Sequence, residues 1–329
     1  MFRLNPIFSN EMIIQANRPV RVYGEGDGEI SVTLGKDTAT TFAKDGKWLV
    51  ELPSHSYGEV LDLVAKSVEK VITVSKITFG DVYLLSGQSN MQFKLHEATP
   101  DGEIFECADI RLFSTERMEE NEFFLPRDGW VKCDKNTAPN FSAIGYFLAR
   151  DLYAQNPRPI GLVSLYQGAS VIQSWLSPTS IDEIVSILPT DGLHWDHHNP
   201  AYSKWNGNST LYGFAFSQIV PFSFSAVLWY QGESNASENE SKIYDILLKK
   251  LITSWRTELM DEELPFVIIQ IANYIYRADE NWSRIQSMQE KVTGELPYTY
   301  LVKCADICED DNIHPPTKHL LVKRITELL

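Results

Sequence analysis

The chain has 329 residues, 43 % hydrophobic and 22 % charged, which is the make-up of a folded globular protein with no repeat or low-complexity stretch. Its formal net charge of −15, with no Lys/Arg cluster, argues against nucleic acid and anionic membrane surfaces as partners. No run of about 18 apolar residues is present to span a bilayer, and the opening MFRLNPIFSNEM lacks a basic-then-apolar signal pattern, so a cytoplasmic protein is expected unless a signal has been removed.

At this length one large α/β domain with a smaller companion is expected. Residues 1–78 alternate apolar and polar at period two, as in Ile30-Val32-Leu34, Trp48-Val50-Leu52 and Leu61-Leu63-Ala65. Turn signals at Gly24 to Gly28, Gly35-Lys36-Asp37, Lys44-Asp45-Gly46 and Tyr57-Gly58 separate these strands, which predicts a small antiparallel, sandwich-like all-β domain.

From Gly80 the pattern changes to short continuous apolar runs: Val82 to Leu85, Ile160 to Leu165, Ala226 to Trp229, Phe266 to Ile271 and Tyr298 to Val302. Between them lie stretches of helical period, with Ile144, Phe147, Leu148 and Leu152 on one face and Leu247, Leu248, Leu251, Ile252, Trp255 and Leu259 on another. Buried strands alternating with amphipathic helices predict residues 79–329 to be an α/β domain with a parallel sheet between helix layers. In such a fold the ligand site lies beyond the carboxyl ends of the strands.

Four segments fall there. Ser86-Gly87-Gln88-Ser89-Asn90-Met91 follows the first run, and Ser89 at a strand-to-helix turn can present its hydroxyl as a nucleophile, although Ser89 or Asn90 could equally cap the helix. Gln167-Gly168-Ala169-Ser170 follows the second run, and Gly168 can bring a backbone N–H close to a reacting oxygen. Gln231, in Trp229-Tyr230-Gln231-Gly232-Glu233-Ser234-Asn235, can aim an amide at an oxyanion or satisfy backbone groups in a tight turn. After the last run stand Asp310-Asp311-Asn312-Ile313-His314, where a carboxylate and an imidazole share one short loop. The four cysteines, Cys107, Cys133, Cys304 and Cys308, make no CxxC pair and no zinc-like Cys/His set, and read as reduced core thiols.

Taken together, SGQSNM at 86–91 and WYQGESNA at 229–236, with GASVIQSW at 168–175, NFSAIGYFLARDL at 140–152, IHPPTK at 313–318 and IFSNEMIIQ at 7–15, make the chain resemble the SGNH hydrolases. Within them it is similar to the sialate O-acetylesterase-like carbohydrate esterases. That resemblance implies a flavodoxin-like three-layer hydrolase domain after a small β domain, and a serine esterase that removes O-acetyl groups from small acetylated carbohydrates without metal or other cofactor. It implies Ser89 as nucleophile, His314 as base, Asp311 as the orienting carboxylate, and an oxyanion hole of the Ser89 amide, Gly168 and Gln231. Asn90, Glu233 and Trp195 are expected to contact the sugar, and a homo-oligomer is compatible with all of this.

Three departures from the family pattern bear on these roles. Gly168-Ala169-Ser170 stands where GGT or GGS is usual, so Ala169 is the alternative amide donor; Asn312 stands where many relatives have Asp, so Asp310 is the alternative to Asp311. The stretch from Asp191 to Asn208, with His194, Trp195, His197 and His198, has no clear family counterpart and reads as a loop bordering the crevice rather than a metal site. The charge of −15 does not favour an anionic sugar, so neutral acetylated xylo- or manno-oligosaccharides stand beside sialic acid as expected substrates. The rival readings are a catalytically silent carbohydrate-binding protein on the same fold and an SGNH esterase or thioesterase for another acyl group.

Overall fold

The computed structural model describes residues 2–120, 124, 126–188 and 200–329. The period-two segments form β1 (Arg3–Leu4), β2 (Ile13–Gln15), β3 (Val20–Glu25), β4 (Glu29–Leu34), β5 (Asp37–Phe42), β6 (Lys47–Leu52) and β7 (Val60–Lys66). Ile30, Val32 and Leu34 of β4, and Trp48, Val50 and Leu52 of β6, turn inward while their neighbours face out, as the alternation requires. Strands β1, β3 and β6 make one antiparallel sheet, while β5, β4 and β7 form an antiparallel ladder leading into β8 (Val71–Gly87).

Strand β8 changes the expected division of the chain. It is one continuous strand of 17 residues whose first half pairs antiparallel with β7 and whose second half lies inside the larger sheet. The expected boundary at 78/79 therefore runs through a shared strand. Gly80, where the sequence pattern changes, is not a linker glycine: a Cβ there would lie 2.1 Å from the Pro159 carbonyl oxygen, so two backbones pass too closely for any side chain. The core is continuous across the same line, with Tyr23 donating to the Ile219 carbonyl at 2.7 Å and Trp130 Nε1 donating to that of Ile7 at 2.8 Å.

The large sheet is built on β11 (Ile160–Tyr166), β8, β12 (Ala226–Tyr230), β13 (Phe266–Ile269) and β14 (Thr299–Val302), side by side in that order. The five expected apolar runs are β8, β11, β12, β13 and β14. They are mutually parallel and stand in the spatial order 2-1-3-4-5, that of a flavodoxin-like sheet. The sheet is nevertheless mixed. Strand β9 (Cys107–Thr115) adds parallel to β11, and β10 (Pro126–Cys133) pairs antiparallel with β9 as an edge.

Of the helices, α1 (Ser89–Gln92), α4 (Ser217–Ile219) and α5 (Glu238–Ser241) are single turns. On one face of the sheet, α2 (Ala143–Gln155) and α8 (Lys318–Thr326) pack Ile144, Phe147, Leu148, Leu321, Val322 and Ile325 against Tyr83, Leu85 and Leu228. On the other, α3 (Pro178–Ile187), α6 (Tyr244–Glu258) and α7 (Glu280–Glu295) cover Val82, Leu84, Val163 and Val227. Strand β8 has β11 on one side and β12 on the other, and at such a switch point the ligand crevice of an α/β sheet lies beyond the carboxyl ends of the strands. Among the described residues, no helix is long and apolar enough to cross a membrane.

Candidate active site

The first wall of the crevice is the turn from β8 into α1. Gly87 has φ +129°, and a Cβ there would sit 2.1 Å from the Tyr230 carbonyl oxygen, so only glycine lets the strand turn this tightly against β12. Gln88 N–H then donates to that same carbonyl at 2.9 Å, and Gln88, not Ser89, is the residue preceding the helix, with no side-chain capping bond. The Ser89 hydroxyl is left free of any capping task. Its Oγ lies 2.8 Å from His314 Nε2.

His314 comes from the loop between β14 and α8. Its own N–H donates to Asn312 Oδ1 at 2.9 Å, the preceding Ile313 carbonyl accepts from Asn90 Nδ2 at 2.9 Å, and the Asp310 carbonyl accepts from Ile275 N–H at 2.9 Å. Burial holds the imidazole below its ordinary pKa; the nearby Lys318 cation pushes the same way and Glu97 opposes. The ring is therefore neutral at pH 7 and can accept a proton.

The loop after β11 forms the second wall. Gln167 N–H donates to the Gly87 carbonyl at 3.1 Å, which ties the loop to the nucleophile turn, and a Cβ on Gly168 would be 3.8 Å from Ser89 Cβ. Gly168 N–H donates to Gln92 Oε1 at 2.9 Å, one helical turn beyond Ser89. Ala169 adopts φ +54°, held there by Asn206, whose Nδ2 donates to the Ala169 carbonyl at 2.8 Å and whose Oδ1 accepts from Val171 N–H at 2.9 Å.

Comparison with known proteins gives this arrangement a family. Residues 79–322 match the model of the family described as carbohydrate esterase, sialic acid-specific acetylesterase. The chain belongs to this family. Sialate O-acetylesterases of Pongo abelii and Homo sapiens are 25 % and 24 % identical to it, each alignment covering 98 % of this chain and 69 % of the relative. A carbohydrate acetylesterase of Xanthomonas citri superposes with a TM-score of 0.82 at 27 % identity, covering 98 % of this chain and 73 % of that one. The protein is thus a carboxylic ester hydrolase.

Within this esterase the structure brings Ser89, Gly168 and His314 to one crevice and removes other expected residues from it. Gln231 is fully buried, and both of its amide hydrogens are engaged, to the Ser170 carbonyl at 2.9 Å and Asn235 Oδ1 at 2.7 Å, while its Oε1 accepts from Tyr244 at 2.9 Å. It holds the Gly168 loop rather than facing an oxyanion. Asp311 is exposed and no hydrogen bond joins it or Asp310 to the imidazole; the turn built by Asn312 directs these carboxylates to water. Asn90 and Glu233 are buried and bonded to each other at 2.6 Å, and Glu233 Oε2 has no hydrogen-bond partner.

Trp195, with His194, His197 and His198, lies outside the described residues. The described end of that stretch is not a simple surface loop, since Trp205 is buried and Asn206 braces the Gly168 loop. Among the described residues no group of three or more His, Cys, Asp or Glu side chains could hold a metal ion. Gln92, Asn206, Asn235 and Lys318 also brace the site, with no role expected of them from their types alone. Asn235 and Lys318 lie inside the quoted motifs, whereas Gln92 and Asn206 carry no signal beyond proximity in the fold.

Proposed function

We propose that this esterase hydrolyses O-acetyl groups on sugar hydroxyls through an acetyl-serine intermediate, with Ser89 and His314 as its catalytic residues. The single observation that carries the reading is the 2.8 Å approach of Ser89 Oγ to His314 Nε2 at the switch point of the sheet. Ser89 Oγ attacks the acetyl carbonyl carbon while His314 takes the hydroxyl proton, a general-base contribution of about 10²–10⁴. The tetrahedral oxyanion is held by the Ser89 and Gly168 N–H groups; the second becomes available when the Gln92 side chain turns away. Collapse breaks the bond to the sugar oxygen, which leaves with the proton from His314. Water then attacks the acetyl-serine, gives its proton to His314, and acetate departs as Ser89 regains its hydrogen.

Acetylated carbohydrate is the substrate class because the relatives are a sialate O-acetylesterase and a carbohydrate acetylesterase by name. Between an anionic and a neutral sugar, the net charge of −15 favours the neutral one.

Acetate release from 4-nitrophenyl acetate and from acetylated xylo-oligosaccharides, by the native protein and by Ser89→Ala, tests the reading. Native turnover that Ser89→Ala lacks, and that falls with longer acyl chains, supports it. Absence of turnover on every acetyl ester would instead favour a binding protein that retains the fold.

A further inference from the structure

Beneath the Ser89–His314 pair lies a set of buried polar side chains that the reaction above does not use. Asn90, next after the nucleophile, is 1 % exposed and has all its hydrogen-bonding side-chain atoms occupied: Nδ2 donates to Glu233 Oε1 at 2.6 Å and to the Ile313 carbonyl at 2.9 Å, and Oδ1 accepts from Lys318 Nζ at 2.6 Å. Lys318 is itself 0 % exposed, its ammonium 5.1 Å from the Phe93 ring centre and 5.3 Å from that of Tyr230. A fully buried amine is costly where a methionine would fill the same space, so the site needs a reason to hold one.

Four segments meet at this amide: the turn after β8, the turn after β12, the His314 loop and the start of α8. One of these bonds ties together the two neighbours of the chemistry, because Asn90 follows Ser89 and Ile313 precedes His314. In serine hydrolases with a triad, an acid on the imidazole Nδ1 fixes the ring; here no carboxylate does. We propose that Asn90, Lys318 and Glu233 act together as positioning residues that hold His314 against Ser89, replacing the missing carboxylate through the main chain of the histidine loop. For its catalytic meaning the inference rests on the ester-hydrolysis reading above.

The electrostatics follow the same layout. Lys318 faces Glu233, Glu309, Cys304, Cys308 and Tyr230; burial brings its amine down to about 8, while the neighbouring thiols and carboxylates favour its charged form. His314 faces Lys318 and Glu97, with the Phe93 ring 6.2 Å away. A neighbouring cation disfavours the imidazolium. Removing it raises the pKa of His314, so a higher pH is then needed to keep the base neutral.

Lys318→Met tests this directly. The expected result is a fall in kcat of about 10²-fold from a misplaced base, with KM for 4-nitrophenyl acetate little changed and the acid limb of kcat/KM moved to higher pH. Asn90→Ala breaks the same chain at its centre and lowers kcat similarly, and the double variant is no worse than the worse single. A folded Lys318→Met protein with native kcat and a native acid limb overturns the proposal, as do fully additive losses. Should Lys318→Met not fold, native kcat in Asn90→Ala overturns it equally. Titration of the His314 ring by NMR in native and Lys318→Met protein needs no turnover: if the native protein hydrolyses no acetyl ester, the esterase reading fails alone, and an unmoved His314 pKa then counts against the network.

Discussion

Replacing Asp311 with Asn isolates the difference between a Ser-His-acid triad and the arrangement found here. In a triad, neutralising the acid leaves the geometry intact and costs about 10⁴ in kcat, because the imidazole loses its tautomer and the partner for its positive form. In this protein Asp311 is exposed and bonded to nothing on His314, and the groups that face the ring are Lys318 and Glu97. A solvent-screened carboxylate without contact changes a rate by no more than about fivefold. The two accounts therefore differ by roughly three orders of magnitude in one assay. Steady-state acetate release at pH 7.5, with Asp310→Asn/Asp311→Asn beside the single variant so that one carboxylate cannot stand in for the other, reads the difference. Retention of at least a fifth of native kcat is expected in both. A loss of about 10³ or more in a variant with native Tm would show that the loop closes on the imidazole during turnover, and the reasoning from Asn312 would fall.

Two further outcomes follow from particular residues. Ala169 stands at φ +54°, a conformation costing a non-glycine residue about 1–2 kcal/mol, against which glycine gives back about 0.5–1 kcal/mol in unfolded-chain entropy; Ala169→Gly should thus stabilise the protein by about 0.5–1 kcal/mol, read as a higher denaturant midpoint at unchanged slope, and a lower midpoint refutes it. Tyr276, 71 % exposed on the turn after β13 whose Ile275 N–H bonds the Asp310 carbonyl, offers a flat apolar face beside the histidine loop; Tyr276→Ala should raise KM for acetylated oligosaccharide by about 2–10-fold and leave 4-nitrophenyl acetate unaffected, whereas equal change on both substrates removes it from the sugar site.

Much of the fold was legible because burial leaves a periodic trace. The five parallel strands are continuous apolar runs, and β4 and β6 alternate cleanly. The edge pair left a weaker trace: β9 alternates only over Asp109-Ile110-Arg111-Leu112, and β10 carries Pro126, Asp128 and Gly129, which locally read as turn, with a shift in register. The expected boundary at 78/79, where the family match also begins, falls inside one continuous strand for a related reason. A strand that is half-exposed along its first half and buried along its second shows two patterns, and the change at Gly80 marks a new neighbour, Pro159, rather than a new chain segment.

At the site, a motif gives a residue's place on the backbone but not the direction of its side chain. Ser89 and Gln231 both follow strands of the switch point, and position alone made each a crevice residue. Ser89 faces His314 because Gly87 turns the chain and Gln88 takes the helix start. Gln231 is drawn inward by Asn235 of its own turn and by Tyr244 and the Ser170 carbonyl, two partners from other segments that a local reading does not assemble. Lys318 was illegible for the converse reason, since a lysine at a helix start normally lies in water. Its burial under Phe93 and Tyr230, with Asn90 as acceptor, emerges only when four distant segments meet, and that same meeting sets the histidine against the serine.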